Sequence, residues 1–385
     1  MSERLAFIKA CLNRIEEITA ICHRFGISEK TGHKWLQRFK TEGIAGLEDR
    51  SHAPHHQPLR MSAEVAARIV KLRRRYRDYG ASKLRDLLTQ QYPTERWPAA
   101  SSIGALLTRE HLIRRKRRRR RDVERAALDH TRTPATEPNS VWTADFKGEF
   151  RLTSGPYCYP LTVLDLHAHY LLGCTALGTT GVASTRHVFR RLFREYGLPV
   201  VLRTDNGIPF AQPNALGRLG SLAFWWVRLG IRPEHIRPAT PSENGAHERF
   251  HKTLKAAATR PASSSLLGQQ RRFDRFQREY NTLRPHESVP GRRPPSTVYS
   301  PSPRPYPARL PALCYPDTAD VRLVDTNGFI KWRTHHVFLS SNLSGEYVAL
   351  IETGADLVTI AYASLGLGEF DPHLNRFVPR VRWID

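Results

Sequence analysis

The sequence predicts a multidomain chain: all-α helix-turn-helix units at the N-terminus, a central α/β core with a mixed sheet, and a small C-terminal β-barrel. Three observations predict this. Apolar residues recur at helical spacing up to about residue 112, strand-like runs alternate with helical ones from 140 to 300, and short turn-bounded strands fill the tail. The limits drawn are 1–45 and 60–113 for two helical units, 114–139 for a basic linker, 140–300 for the core with a C-terminal helical extension, and 317–385 for the barrel.

Ile18, Ile21, Cys22 and Phe25 lie at helical spacing, and Gly26 ends that helix. Ser28 is placed to cap a second helix carrying Trp35, Leu36 and Phe39. Lys30, His33, Lys34 and Arg38 on this second helix are candidate DNA contacts, as in a recognition helix. Gly32 lowers the helix propensity there by up to about 1 kcal/mol. Residues 44–60, with Gly, Pro and His, are expected to be a linker. Val65, Ile69 and Leu72, then Leu84, Leu87 and Leu88, then Ile103, Leu106 and Leu107 mark three further helices, a second helix-turn-helix candidate.

Residues 114–121 are eight consecutive cations, beginning Arg114, Arg115, Lys116, Arg117, Arg118 and Arg119. Such a run cannot occupy one helix face and repels itself until phosphates neutralise it, which points to DNA. Lys and Arg total 60 against 36 Asp and Glu in 385 residues, a net charge of +24 that favours a polyanionic partner. Five cysteines without a CxxC pair indicate neither a zinc knuckle nor a disulfide framework. The expectation is a reduced, cytoplasmic, nucleoid-associated protein, with no signal-type leader and no apolar run long enough for a membrane span.

In the core, strands are expected at 141–151, 159–166, 170–177, 199–204 and 231–236, and helices at about 182–196, about 215–229 and from about 242. Asp145 falls inside the apolar run Val141-Trp-Thr-Ala-Asp, where a buried acid is costly without a balancing charge. Asp205 ends Val200-Val-Leu-Arg-Thr-Asp before an Asn-Gly turn, at a strand end where ligands bind in open α/β sheets. Glu248 lies on the helix after Pro241. Two strand carboxylates and a helix carboxylate can converge on hard divalent cations, but spacing alone leaves Asp165 and Glu243 as rivals. In the tail, Asn327-Gly328 between Val321-Arg-Leu-Val and Phe329-Ile-Lys-Trp predicts a tight hairpin. Strands at 335–339, 346–352, 357–362 and 376–383 complete the expected barrel.

Five motifs carry a resemblance: Trp142-Thr-Ala-Asp-Phe-Lys-Gly, Leu161-Thr-Val-Leu-Asp, Thr204-Asp-Asn-Gly, Asn244-Gly-Ala-His-Glu-Arg-Phe-His-Lys-Thr-Leu-Lys and Tyr280-Asn-Thr-Leu-Arg-Pro-His-Glu. In this order they resemble bacterial insertion-sequence transposases with a retroviral-integrase-like core of the ribonuclease-H-like superfamily. Phe25-Gly-Ile-Ser-Glu-Lys-Thr-Gly-His-Lys-Trp-Leu extends the likeness toward the N-terminus. The resemblance implies an acid triad of Asp145, Asp205 and Glu248, selecting them over Asp165 and Glu243. It implies two Mg²⁺ (or Mn²⁺) ions per active site, and Lys252 and Lys255 as DNA contacts on the face of Glu248. The implied reaction is hydrolysis at the terminal inverted repeats of a mobile element, then joining of the freed 3′-OH groups to target DNA by a homo-oligomer. The chain departs from the family in carrying Ala168-His169 where relatives commonly have Ser-Arg, and His33 where they often have Tyr.

Two other readings compete. A catalytically inactive or regulatory DNA-binding protein derived from a transposase keeps the basic helices and needs no metal. His247-Glu248-Arg249-Phe250-His251 also spells a helical zinc-protease signature. Leu254, Ala257 and Arg271 stand where a further ligand is expected, so that signature is incomplete.

Overall fold

The computed structural model describes residues 2–13, 15–50, 61–113, 133–236, 245–353 and 357–384. It divides into two compact units, Met1–Ser62 and Ala63–Asp385. The basic run 114–121, including Arg114, Arg115, Lys116, Arg117, Arg118 and Arg119, lies outside the described residues, as does Glu243.

The first unit holds α1 (Ser2–Leu12), α2 (Ile18–Arg24) and α3 (Glu29–Glu42). Gly26 takes φ 65° just after α2, the conformation that ends helices and suits glycine. The Ser28 side chain accepts from the Thr31 amide at 3.3 Å and caps α3. Leu47, expected in a linker, is fully buried with Phe7, Ile8, Ile21 and Cys22. A 3₁₀ turn over Gly43–Leu47 folds it in, and Arg4 bonds the Leu47 carbonyl at 2.8 Å and Asp49 at 2.7 Å.

Gly32 has a packing role that outweighs its helix propensity. A β-carbon there would lie 2.4 Å from Cys22 Sγ and 3.0 Å from the Phe7 ring. Overpacking costs about 1–3 kcal/mol, whereas Gly→Ala within a helix gains about 1 kcal/mol. Gly32→Val, which adds bulk without the full propensity gain, is expected to lower the melting temperature of the first unit. Differential scanning calorimetry checks this, and an unchanged transition would refute the packing argument.

The second unit begins with α4 (Ala63–Arg75), α5 (Ala81–Gln91) and α6 (Ala100–Arg109), whose facing sides bury Ile69, Leu84, Leu88, Ile103 and Leu107. The central sheet follows: β1 (Val141–Phe146), β2 (Phe150–Arg151), β3 (Tyr157–Asp165) and β4 (Leu171–Leu177), then α7 (Val182–Tyr196), β5 (Val201–Thr204), α8 (Ser221–Arg228) and β6 (Arg232–His235). Strand order is β4-β3-β1-β5-β6, with β2 beside the start of β3. β1 is antiparallel to β3 and parallel to β5, and β5 is parallel to β6. The expected mixed sheet is therefore present.

Alternation along the strands divides two layers. Trp142, Ala144, Leu161 and Val163 pack with α7 and α8. Cys158, Leu164 and Cys174 face the other way, toward α9 (Gly245–Ala258) and α10 (Leu266–Thr282).

The tail contains β7 (Asp320–Leu323), β8 (Phe329–Trp332), β9 (His335–Phe338), β10 (Tyr347–Thr353), β11 (Leu357–Tyr362), β12 (Leu365–Asp371) and β13 (Arg376–Trp383). They form an antiparallel sheet in the order β13-β12-β11-β10-β7 and a separate β8-β9 hairpin. This corrects the expected barrel: among the described residues the two edge strands do not pair with each other. β13 is built as an edge, with Pro379 inside it and Arg376, Arg380 and Arg382 along it. The hairpin expectation also changes. The Asn327-Gly328 turn forms, but β7 pairs with β10 and β8 with β9. Asp325 Oδ1 accepts from the amides of Asn327 (2.8 Å) and Phe329 (2.9 Å), so the turn redirects the chain instead of closing a ladder. Strand β12 was not foreseen, because Gly366 and Gly368 weaken its strand character. Packing explains Gly368: a β-carbon there would sit 2.3 Å from the Val378 carbonyl oxygen.

The tail is not a separate module. One hydrophobic cluster runs from Trp142 through α8 to Val348, Ile360, Tyr362 and Phe370. Helix α8 buries Leu222 through Val227 without a break, because sheets cover both of its sides. Phe224 meets Tyr362 edge-on at 5.6 Å, and Arg228 pairs with Glu346 at 2.9 Å.

Candidate active site

The register of β1 on β5 pairs Ala144 with Thr204. Asp145 and Asp205 each follow by one residue, so both stand at the same end of adjacent parallel strands. That edge is where side chains leave an open α/β sheet to meet ligands. Both residues are partly buried.

Burial pushes the Asp205 carboxyl above its ordinary range, against the hydrogen bond from the Gly207 amide and the nearby His235. The Gly207 amide donates to Asp205 Oδ1 at 3.1 Å. His235 arrives through the pairing of Thr204 with β6. Its Nδ1 lies 3.2 Å from Thr204 Oγ1. Sequence reasoning passed over His235, although the parallel strand order places it beside position 205.

Helix α9 is fastened across β1 and β3 by two histidines. His247 Nδ1 lies 3.1 Å from Thr143 Oγ1, and His251 Nε2 lies 2.9 Å from Thr162 Oγ1. Thr162 Oγ1 also donates to the Asp145 carbonyl at 3.0 Å. With that proton committed, the His251 ring donates from Nε2. Its Nδ1 then faces Asp145 Oδ2, at 4.0 Å. Burial holds His251 down to about 4, so the 4.0 Å approach is one of a neutral imidazole and is not an ion pair. The two histidines of the protease-like signature are thus sheet-facing latches. Their trace in the sequence was the polar pair Thr143 and Thr162 inside otherwise apolar strands.

Glu248 does not join the two aspartates. The sheet-facing stripe of α9 is His247, Phe250, His251 and Leu254, and Glu248, Lys252 and Lys255 lie on its exposed side. Among the described residues, no group of three His, Cys, Asp or Glu side chains is arranged to hold a metal ion. The segment leading into α9, 237–244, lies outside the described residues. Lys255 does approach the site electrostatically: burial first, then the charges of Lys255 and Arg260, lower the Lys147 pKa. Lys147 follows β1 directly and was not among the expected residues.

Asp165, a rival by spacing, is a turn brace. It is fully buried and accepts from the amides of Asn139 (2.6 Å) and Ala168 (2.7 Å). The departure at Ala168-His169 belongs to this turn, where His169 takes φ 55°. In the first unit Lys30, His33 and Lys34 are exposed on α3 and Arg38 partly so. Arg4, Lys34 and Arg38 gather over Trp35, at 4.1, 5.7 and 5.3 Å from its ring centre.

Buried imidazoles set an acid limit. Burial holds His247 well below the ordinary imidazole range, and His286 down to about 3. The unfolded chain takes up protons near pH 6.5 that these folded rings refuse. Stability is therefore full above that pH and is lost as pH falls toward the folded values, by up to about 1.4 kcal/mol per pH unit for each histidine. Urea titrations from pH 7 to pH 4 should show this slope, and His286→Gln should reduce it by up to one proton. An identical slope in the variant would remove His286 from the account.

Does the pair of aspartates suit a hard divalent cation? The donors are carboxylate oxygens, the type such ions prefer. Asp205 is pushed up by burial, and the imidazole nearest Asp145 brings no charge. A divalent ion would offset the desolvation of both. Asp145 and Asp205 fit it; Glu248, where it stands, does not contribute.

Residues 135–241 match a family described as integrase core domain, and residues 229–295 match a second family of the same description. Residues 3–55 match a helix-turn-helix domain, and residues 31–107 a homeodomain-like domain. The chain is similar to an uncharacterized 39.2 kDa protein of insertion element IS476 from Xanthomonas euvesicatoria, 29% identical over 283 residues, which covers 71% of this chain and 75% of that protein. It is also similar to the Pol polyprotein of Feline endogenous virus ECE1, 27% identical over 183 residues, 44% of this chain and 17% of that polyprotein. Among solved structures, the HTLV-2 integrase catalytic core domain in complex with magnesium (trimeric form) aligns at 14% identity and TM-score 0.34, over 43% of this chain and 99% of that one. The simian T-cell lymphotropic virus intasome in complex with PP2A regulatory subunit B56 gamma aligns at 12% identity and TM-score 0.37, over 82% of this chain and 98% of that one.

Proposed function

The chain carries an integrase core behind helix-turn-helix domains, and from that premise we propose that it is the DNA transposase of an insertion sequence. The observation that carries this reading is the placement of Asp145 and Asp205 one residue beyond the Ala144–Thr204 register pair of parallel strands. It is supported by the insertion-element relative and by a net charge of +24.

In this reading the helix-turn-helix units bind the terminal inverted repeats, with Lys30, His33, Lys34 and Arg38 among the phosphate and base contacts. The basic run from Arg114 and the exposed Lys252 and Lys255 contact backbone phosphates. Asp145 and Asp205 hold divalent metal, Mg²⁺ or Mn²⁺, and Glu248 is the third carboxylate. Because Glu248 stands on the exposed side of α9, its engagement requires a movement of α9. When bound, the metal supplies a Lewis acid for an attacking water or 3′-OH and for the leaving oxygen. The protein's own part is positioning: the Thr143–His247 and Thr162–His251 bonds hold α9 over β1, and the Gly207 amide orients the Asp205 carboxylate. Acting on two ends together calls for a homo-oligomer. Among the described residues no helix is long and apolar enough to cross a membrane.

The test is incubation of the purified chain with DNA bearing the inverted repeats that flank its gene. Nicks that leave 3′-OH ends in Mg²⁺ or Mn²⁺, and vanish with chelator, are expected. Tight binding with no nick under any metal would favour the regulatory DNA-binding reading.

A further inference from the structure

The motif Tyr280-Asn-Thr-Leu-Arg-Pro-His-Glu plays no part in the reaction outlined above. Its residues Tyr280, Arg284, His286 and Glu287 line a cavity of about 160 Å³ between α5, α9 and the end of α10. Lys83 enters from α5, and Arg249 and Thr253 from α9. Three cations thus meet at one cavity.

Arg284 is balanced by Asp78, whereas among the described residues Lys83 and Arg249 form no ion pair. Asp165 is engaged by two backbone amides, and Glu287 is exposed at the rim. Burial, and then the Arg284 charge, bring the Lys83 pKa down to about 8 despite Glu287 and Asp78. A further observation points to a ligand. His247 is 1% exposed and lines this cavity. Its Nε2 has no partner in hydrogen-bonding geometry, although the Thr162 backbone lies near enough to act on the ring and Nδ1 lies 3.1 Å from Thr143 Oγ1. Buried polar atoms are rarely left so. Arg249, Glu287 and Ser288 are exposed at the mouth, so the cavity opens to solvent.

We propose that this cavity is a binding site for a phosphate group, held by Lys83, Arg249 and Arg284 with polar contacts from His247, Thr253 and Ser288. The phosphate is either part of a DNA backbone or free in solution, and the site lies beside the candidate active site: Thr143 and Asp145 share one face of β1. Assigning the phosphate to DNA rests on the transposase reading; the site itself does not.

The experiment measures binding only, so it stands apart from any failure of catalysis. Melting temperature is followed against inorganic phosphate for the full chain, for Lys83→Gln and Arg249→Gln, and for Arg190→Gln on the exposed face of α7 as control. Because a bound ligand stabilises by mass action, phosphate should raise the melting temperature of the parent and the control more than that of either cavity variant. Arg249 is exposed, so its variant tests the site even if Lys83→Gln folds poorly. Salt dependence of binding to a duplex of arbitrary sequence identifies the source. A slope of log K against log salt that is shallower by about 0.9 in the cavity variants marks a backbone phosphate. An unchanged slope, with phosphate stabilisation reduced in the cavity variants, marks a free phosphate. Equal phosphate stabilisation in all four proteins, with equal slopes, overturns the proposal.

Discussion

Asp205→Asn protein is expected to bind end-bearing DNA as the parent does and to nick it about a thousandfold more slowly or worse. The amide keeps the shape of the carboxylate and still accepts from Gly207, so folding should hold. Burial already disfavours charge at this position, so the neutral side chain should not lower the melting temperature. What it loses is anionic oxygen for the metal. Metal stabilisation of transition-state charge is worth several kcal/mol, and each 1.36 kcal/mol is about tenfold in rate. Asp145→Asn should behave alike. Glu248→Gln discriminates: a similar loss of nicking places Glu248 in the metal set during reaction, whereas near-parent nicking excludes it. Single-turnover nicking and a gel-shift titration on the same preparations provide the readout. Full-rate nicking by Asp205→Asn would overturn the site.

Phe224→Ala should cost about 3–5 kcal/mol, as for other large buried aromatic side chains cut to alanine. That is comparable with the whole stability of many domains. Phe224 is 1% exposed and packs on Tyr362, which is fully buried on β11. For the same reason, a chain ending at residue 316 should fail to give a soluble core with native near-ultraviolet dichroism. It would uncover α8, which buries apolar residues on every side. Tryptophan fluorescence in urea for Phe224→Ala, and size-exclusion of the shortened chain, check both expectations. A shortened chain melting cooperatively at the parent temperature would show that the tail is autonomous after all.

Much of the core was legible because its elements carry their own periodicity. The helix expected at about 182–196 coincides with α7, since Val188, Leu192 and Phe193 form one apolar stripe that needs no long-range partner to be recognised. Asp145 and Asp205 were legible for a different reason: each interrupts or ends an apolar strand, where an acid demands an explanation. The tail was less legible. Its strands are glycine-containing and short, and their pairing depends on residues far apart in the chain. A local turn at Asn327-Gly328 therefore could not tell that β7 would choose β10 over β8. Glycine hid β12 from the sequence reading, though not α3. Gly32 and Gly368 count against regular structure by propensity, yet both sit where another group comes too close for a β-carbon.

The sequence by itself determined which chemistry the chain can attempt: carboxylates at strand ends, exposed cations on α3, a basic run, and ordered motifs. These are properties of residue type and spacing. Only the tertiary structure decided which groups meet. It put Asp145 beside Asp205 through parallel register, and turned His247 and His251 onto threonines. It also left Glu248 on the outer side of α9 and opened a cationic cavity at Arg284 and His286. Strand register, helix rotation and the sharing of one core by two sheets arise from packing between distant segments. No local pattern encodes them.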